Sequence, residues 1–140
     1  VGVLTDFVIA DVRKAKAIGD CPNPSSKFGG LDAKGVSTVT LSALELILGN
    51  AEFSENTETE ELLYQRSEEG PWVVKVSDKL VVQMALVKEE QVAGIVRKCL
   101  ENEDFVGWQE PYISNFLTSF ANLCRRAITE KKSVLMWMSL

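Results

Sequence analysis

Histidine is absent from this 140-residue chain. The absence removes the imidazole that Ser-His-Asp and Cys-His nucleophiles require, and the commonest general base near neutral pH. It also removes the ligand on which most zinc and iron sites rely. Long apolar runs are missing too, since none approaches the ~20 residues that cross a bilayer. Val1-Gly-Val-Leu-Thr-Asp6 lacks the basic region and continuous apolar stretch of a signal peptide. Asp6 stands where a myristoylation signal has Ser or Thr. Cysteine is sparse: Cys21, Cys99 and Cys124 are an odd number without a Cys-x-x-Cys pair. That favours neither a disulfide framework nor a zinc ribbon. A cytoplasmic protein without a membrane partner is expected.

Clustered positive charge is also lacking. Lys and Arg total 15 against 20 Asp and Glu, and no basic face stands ready to replace phosphate counterions, so nucleic acid is not an expected partner. Gly30-Leu-Asp-Ala-Lys-Gly35-Val36 only superficially resembles a phosphate loop, because Val36 stands where the lysine belongs. No dinucleotide fingerprint, EF-hand loop or Ser-x-x-Lys motif occurs. These exclusions predict no cofactor, no metal site and no assignable catalytic residue.

What is present is ordinary for a globular domain: 46% hydrophobic and 25% charged residues. The net charge of −5 is unevenly spread. Residues 51–70 hold seven glutamates against one arginine, Arg66, so the rest of the chain is close to neutral. This stretch has little periodicity and is expected to be a partly mobile acidic loop. Glu58, Glu60 and Glu61 are its candidate contacts for a basic protein partner.

Periodicity sets out the elements. Val3–Ala10 reads as a strand, with Asp6 in a turn or capping role. Asp11 then caps a short helix that Gly19 stops. Cys21–Ser26 reads as a loop, which would leave Cys21 the one thiol to meet solvent. Leu41, Leu44, Ile47 and Leu48 mark a helix from Thr38. Trp72–Val76 is a strand, and Ser77-Asp78 starts a helix with Leu80, Val81, Met84 and Val87 inward. A further helix turns Val92, Ile95, Val96, Cys99 and Leu100 inward, with Gly94 weakening it. Ser133–Leu140 closes as a strand that is apolar on both faces, which suits the inside of a sheet. The fold expected is α+β. It is a single domain over 1–140, with a small mixed or antiparallel sheet drawn from both ends and the middle, packed with about four helices.

The densest stretch is Gly107 to Ala127. Pro111 suits a first helical turn. Ile113, Phe116, Leu117, Phe120, Cys124, Ala127 and Ile128 then step by three and four, the mark of a core helix. Trp108, Glu110 and Tyr112 at its entrance are the candidate residues for a small-ligand pocket. Arg125 or Arg126 would serve there as an anion anchor, but they lie ~20 Å along the helix from Tyr112.

Three segments carry a resemblance: Gly2-Val-Leu-Thr-Asp-Phe7, Lys34-Gly-Val36 leading into Leu44-Glu-Leu-Ile-Leu-Gly49, and Leu117 to Ala127 with the terminal Trp137 strand. Together they resemble a family of small uncharacterised bacterial proteins. More distantly, the order of elements is similar to the YfbM-like family, whose function is also unknown. Ser37-Thr38 and Met136 depart from the first family's pattern. The resemblance implies a bacterial, cytosolic, single-domain protein and no particular activity. The functional expectation is a non-enzymatic binding protein that docks or inhibits a basic partner. The alternative is a small-ligand protein or unusual enzyme around Trp108, Glu110 and Tyr112. Oligomeric state is open, since an exposed strand edge could pair two copies.

Overall fold

In the computed structural model, which describes residues 3–49 and 60–140, the opening strand forms over Leu4–Ala10 (β1). Asp11 accepts from the Arg13 backbone N–H at 2.9 Å and caps a 3-10 turn, Val12–Lys14. That turn leads into Ala15–Gly19 (α1). The segment expected to be a loop at Cys21–Ser26 is partly helical instead. Pro24 begins a short helix, Pro24–Phe28 (α2), at a position where its missing N–H has no intrahelical role. Buried Asp6 on β1 accepts from the Ser25 N–H at 2.9 Å and so caps that helix. Cys21 is corrected with it: the residue lies between α1 and α2, which pack together, and is buried rather than solvent-facing.

Gly29, at φ 70°, turns the chain into the three-residue strand Gly30–Asp32 (β2). This strand pairs antiparallel with β1, opposite Asp6–Val8. A Cβ on Gly30 would stand 2.0 Å from the Phe7 carbonyl oxygen, so the pairing requires glycine there. Thr38–Gly49 forms the expected helix (α3). Part of the stretch read as an acidic loop is a strand, Glu61–Gln65 (β3). It pairs antiparallel with Trp72–Lys75 (β4) across a bulge between Leu62 and Tyr64. Cross-strand pairing of Leu62 with Val74 and Tyr64 with Val73 outweighs the polar flanks.

Ser77 Oγ accepts from the Leu80 N–H at 3.1 Å and starts Asp78–Ala85 (α4). The chain bends after Leu86, makes a 3-10 turn at Glu89–Gln91 and continues as Val92–Leu100 (α5). Glu110–Glu130 (α6) and Ser133–Ser139 (β5) complete the order. Leu100 and Ile128, expected to point inward, are instead about half exposed, because each lies near its helix's end beyond the packed stretch.

The sheet runs β2-β1-β5-β4-β3, antiparallel throughout. The last strand is the central one, which explains its two apolar faces. Phe7, Val74, Val134 and Met136 face a large core that includes buried residues of α3, α4, α5 and α6. Val8, Val73, Leu135 and Trp137 face a smaller core with Ala15 and Ile18 of α1, against which Phe28 of α2 packs. The chain is thus an α+β single-domain fold. The helix that the sequence did not announce is five-residue α2, too short to show a periodic stripe. Ile113, Leu117, Phe120, Cys124 and Ala127 of α6 are all essentially inaccessible. The Phe120 ring lies 4.8 Å from that of Phe7 and 5.2 Å from that of Phe116. Side chains of this kind each stabilise the fold by about 1.5–3 kcal/mol when fully buried.

Candidate functional site

Gly107, at φ 86°, turns the chain into the aromatic entrance of α6. Half-buried Trp108 packs edge-on against buried Phe105 at 5.4 Å, and Tyr112, one helical turn on, lies 5.3 Å from Trp108. The Tyr112 hydroxyl donates to the Lys34 carbonyl at 2.6 Å. The three rings therefore fasten the start of α6 to the segment joining β2 and α3. Burial pushes the Tyr112 phenol up, and the Asp32 charge adds to this. The hollow that Tyr112 lines with Leu31, Asp32, Asn115, Phe116 and Ser119 is ≈ 90 Å³, room for about three waters at ≈ 30 Å³ each.

Glu110 does not join them. Residues two apart on a helix face away from each other. Glu110 accordingly lines a different depression of ≈ 290 Å³ between α5 and α6, with Glu89, Val92, Val96, Ser114 and Thr118. The sequence grouped Trp108, Glu110 and Tyr112 by proximity along the chain, and the helix separates them into a stapling pair and an exposed acid. Arg125 is already engaged: its Nε donates to the Ala85 carbonyl at 3.0 Å. Its other nitrogens donate to Asn122 Oδ1 at 2.7 Å and to the Val87 carbonyl. The bonds to Ala85 and Val87 satisfy carbonyls at and just beyond the end of α4. Arg126 pairs loosely with Glu130 at 3.8 Å. Arg125 lines a hollow with Val87, Glu89 and Thr118, separate from the one that Tyr112 lines.

The acidic candidates divide differently. Glu58 lies outside the described residues. Glu60 is partly buried, and burial pushes its carboxyl up. Its own backbone N–H opposes that shift, while the nearby charge of Glu45 reinforces it. Glu45 is itself buried on α3, with Lys79 Nζ 3.7 Å from its Oε1. Glu61 is exposed at the start of β3, opposite Lys75 of β4. Glu68 and Glu69 are exposed in the turn between β3 and β4, beside exposed Arg66. Among the described residues no strand pairs with the outer side of β3. At the other end of the sheet, β2 is short and packs against α2 and α6.

Cys99 and Cys124 are held as thiols: burial pushes Cys99 up to about 11. It pushes Cys124 up to about 12 despite the neighbouring Arg125 cation. Among the described residues no group of three or more histidines, cysteines or acids could hold a metal ion. No described helix is long and apolar enough to cross a membrane. Sequence reasoning missed β3, whose outer side has no strand partner among the described residues. The signal available was Leu62-Leu-Tyr64, a short run of strand-forming residues hidden among glutamates. No family model, curated protein or solved structure matches the chain.

Proposed function

We propose that this chain is a non-enzymatic binding protein that docks a basic protein partner on the acidic end of its sheet. The observation that carries the reading is the placement of Glu60, Glu61, Glu68 and Glu69 on β3 and its flanks, a strand whose outer side has no strand partner among the described residues. An open edge offers unpaired backbone donors and acceptors, and the glutamates select a positively charged occupant. Electrostatic attraction of this kind speeds encounter and makes binding sensitive to salt. The glutamates also disfavour edge-to-edge pairing of two identical copies, because like charges would meet.

The alternative of a small-ligand pocket or unusual enzyme around Trp108, Glu110 and Tyr112 draws less support. Two of the three residues are spent on fastening α6, and the third faces elsewhere. The test is affinity capture from native host extract with the chain and with a variant carrying glutamine at 60, 61, 68 and 69. Raising salt from about 50 to about 300 mM should release the captured protein from the unaltered chain. The variant should capture less at low salt and respond weakly to its increase. Capture that ignores both salt and substitution would rule the proposal out.

A further inference from the structure

A second surface, independent of the acidic strand, lies between α3, α4 and α5. It is an open hollow of ≈ 490 Å³ with Ile47, Leu48, Leu86 and Ile95 in its walls. The volume falls within the roughly 300–1,000 Å³ of small-molecule sites. Its walls are not finished core. Ile47, Leu48 and Ile95 are only partly buried, and Leu86 is 72% exposed. Scattered exposed apolar residues are ordinary, but several grouped around one concavity are the mark of a binding groove.

The charge of the hollow is one-sided. Among the described residues that line it, Lys98 is the only charged one, and no carboxylate takes part. Lys98 follows Ile95 by three residues on α5, the spacing that puts two side chains on one face of a helix. It is exposed, so its ammonium stands at the edge of the apolar wall and in reach of water. Lys98 already has an interaction within the chain, but an ammonium carries three donors and can serve a further acceptor.

We propose that this hollow binds an amphipathic monocarboxylate, a hydrocarbon chain bearing a single anionic head. The chain lies against Ile47, Leu48, Leu86 and Ile95, and the carboxylate meets the Lys98 ammonium. A cationic head would face like charge with no carboxylate to offset it. A phosphate monoester head carries about −1.5 to −2, more than one lysine compensates.

The experiment is an amide NMR titration at low salt with octanoate, with octanol and with acetate. Octanoate should shift the amides of Leu48, Leu86 and Ile95 saturably. It should bind about three- to fivefold tighter than octanol, which keeps the chain and lacks the charge, as an exposed ion pair allows. Acetate, the head without the chain, should give no saturable shift. Lys98→Gln should leave octanoate and octanol binding alike. Leu86→Gln should weaken both, because it removes part of the apolar wall. Both substitutions fall at exposed positions, so the melting temperature should change little and a loss of binding cannot be ascribed to unfolding. The proposal is overturned by any of four results: no saturable shifts with octanoate, equal affinity for octanoate and octanol in the unaltered chain, a preference for octanoate that survives Lys98→Gln, or octanoate binding unaffected by Leu86→Gln.

Discussion

Cys99 and Cys124 lie at zero exposure with thiols pushed up to about 11 and about 12, so almost none of either is thiolate at neutral pH. Cys21 is closed off between α1 and α2. Dithionitrobenzoate should therefore leave the folded protein essentially unreacted, while denaturant should release all three thiols. Rapid reaction of a thiol in the folded state would show an opening that the packing does not contain. Glu60 gives the opposite kind of residue, one titrating against its surroundings. Burial raises its folded-state value above the usual 4.5, so the folded chain holds that proton more tightly than the unfolded one. Its effect on stability is then a penalty that grows as pH rises from the ordinary carboxylate range through the raised value. Glu60→Gln removes the penalty. Melting curves should place the variant above the unaltered chain at about pH 7, with the gap closing towards pH ~4. A gap that stays constant across that range would mean ionisation is not the cause.

The helices whose boundaries were legible are those with local signals. Ser77 starts α4 because its own hydroxyl accepts from Leu80, three residues on, and nothing distant is needed. Ser77→Ala should consequently cost about 1 kcal/mol in urea denaturation, with the slope against urea unchanged. Pro111 and the apolar stripe from Ile113 to Ala127 announced α6 for the same reason. The elements that sequence reading missed depend on remote partners. Gly30–Asp32 is a strand only because β1 lies beside it, close enough that Gly30 must lack a side chain. Glu61–Gln65 is one because β4 supplies Val73 and Val74 opposite Tyr64 and Leu62. The short helix α2 depends on Asp6, nineteen residues back, for its cap. The same division holds at the candidate sites. Trp108 and Tyr112, one turn apart, were legible as a pair. The hollow lined by Ile47, Gln83 and Ile95, by contrast, needs three helices that no local spacing brings together.

For the molecule as a whole, α6 joins the two ends of the chain, packing on β1, β2, β5, α4 and α5. Phe120 sits at its centre against Phe7, while Glu110 and Tyr112 stand at its entrance. If the stretch from Trp108 to Ile128 serves chiefly to hold the core, substitutions along it should grade with burial rather than with chemical reactivity. Phe120→Ala should then cost about 3–5 kcal/mol, a large share of the roughly 5–15 kcal/mol that a domain possesses. Tyr112→Phe loses one hydrogen bond to Lys34 and should cost about 0.5–1.5 kcal/mol. Glu110→Gln changes an exposed side chain and should stay within about 0.5 kcal/mol. Urea denaturation of the three variants measures all of this on one scale. A Glu110→Gln change that stabilised the fold by more than about 1 kcal/mol would reverse the reading. A removable penalty of that size at an exposed acid is the mark of a charge retained for binding or chemistry at the expense of stability.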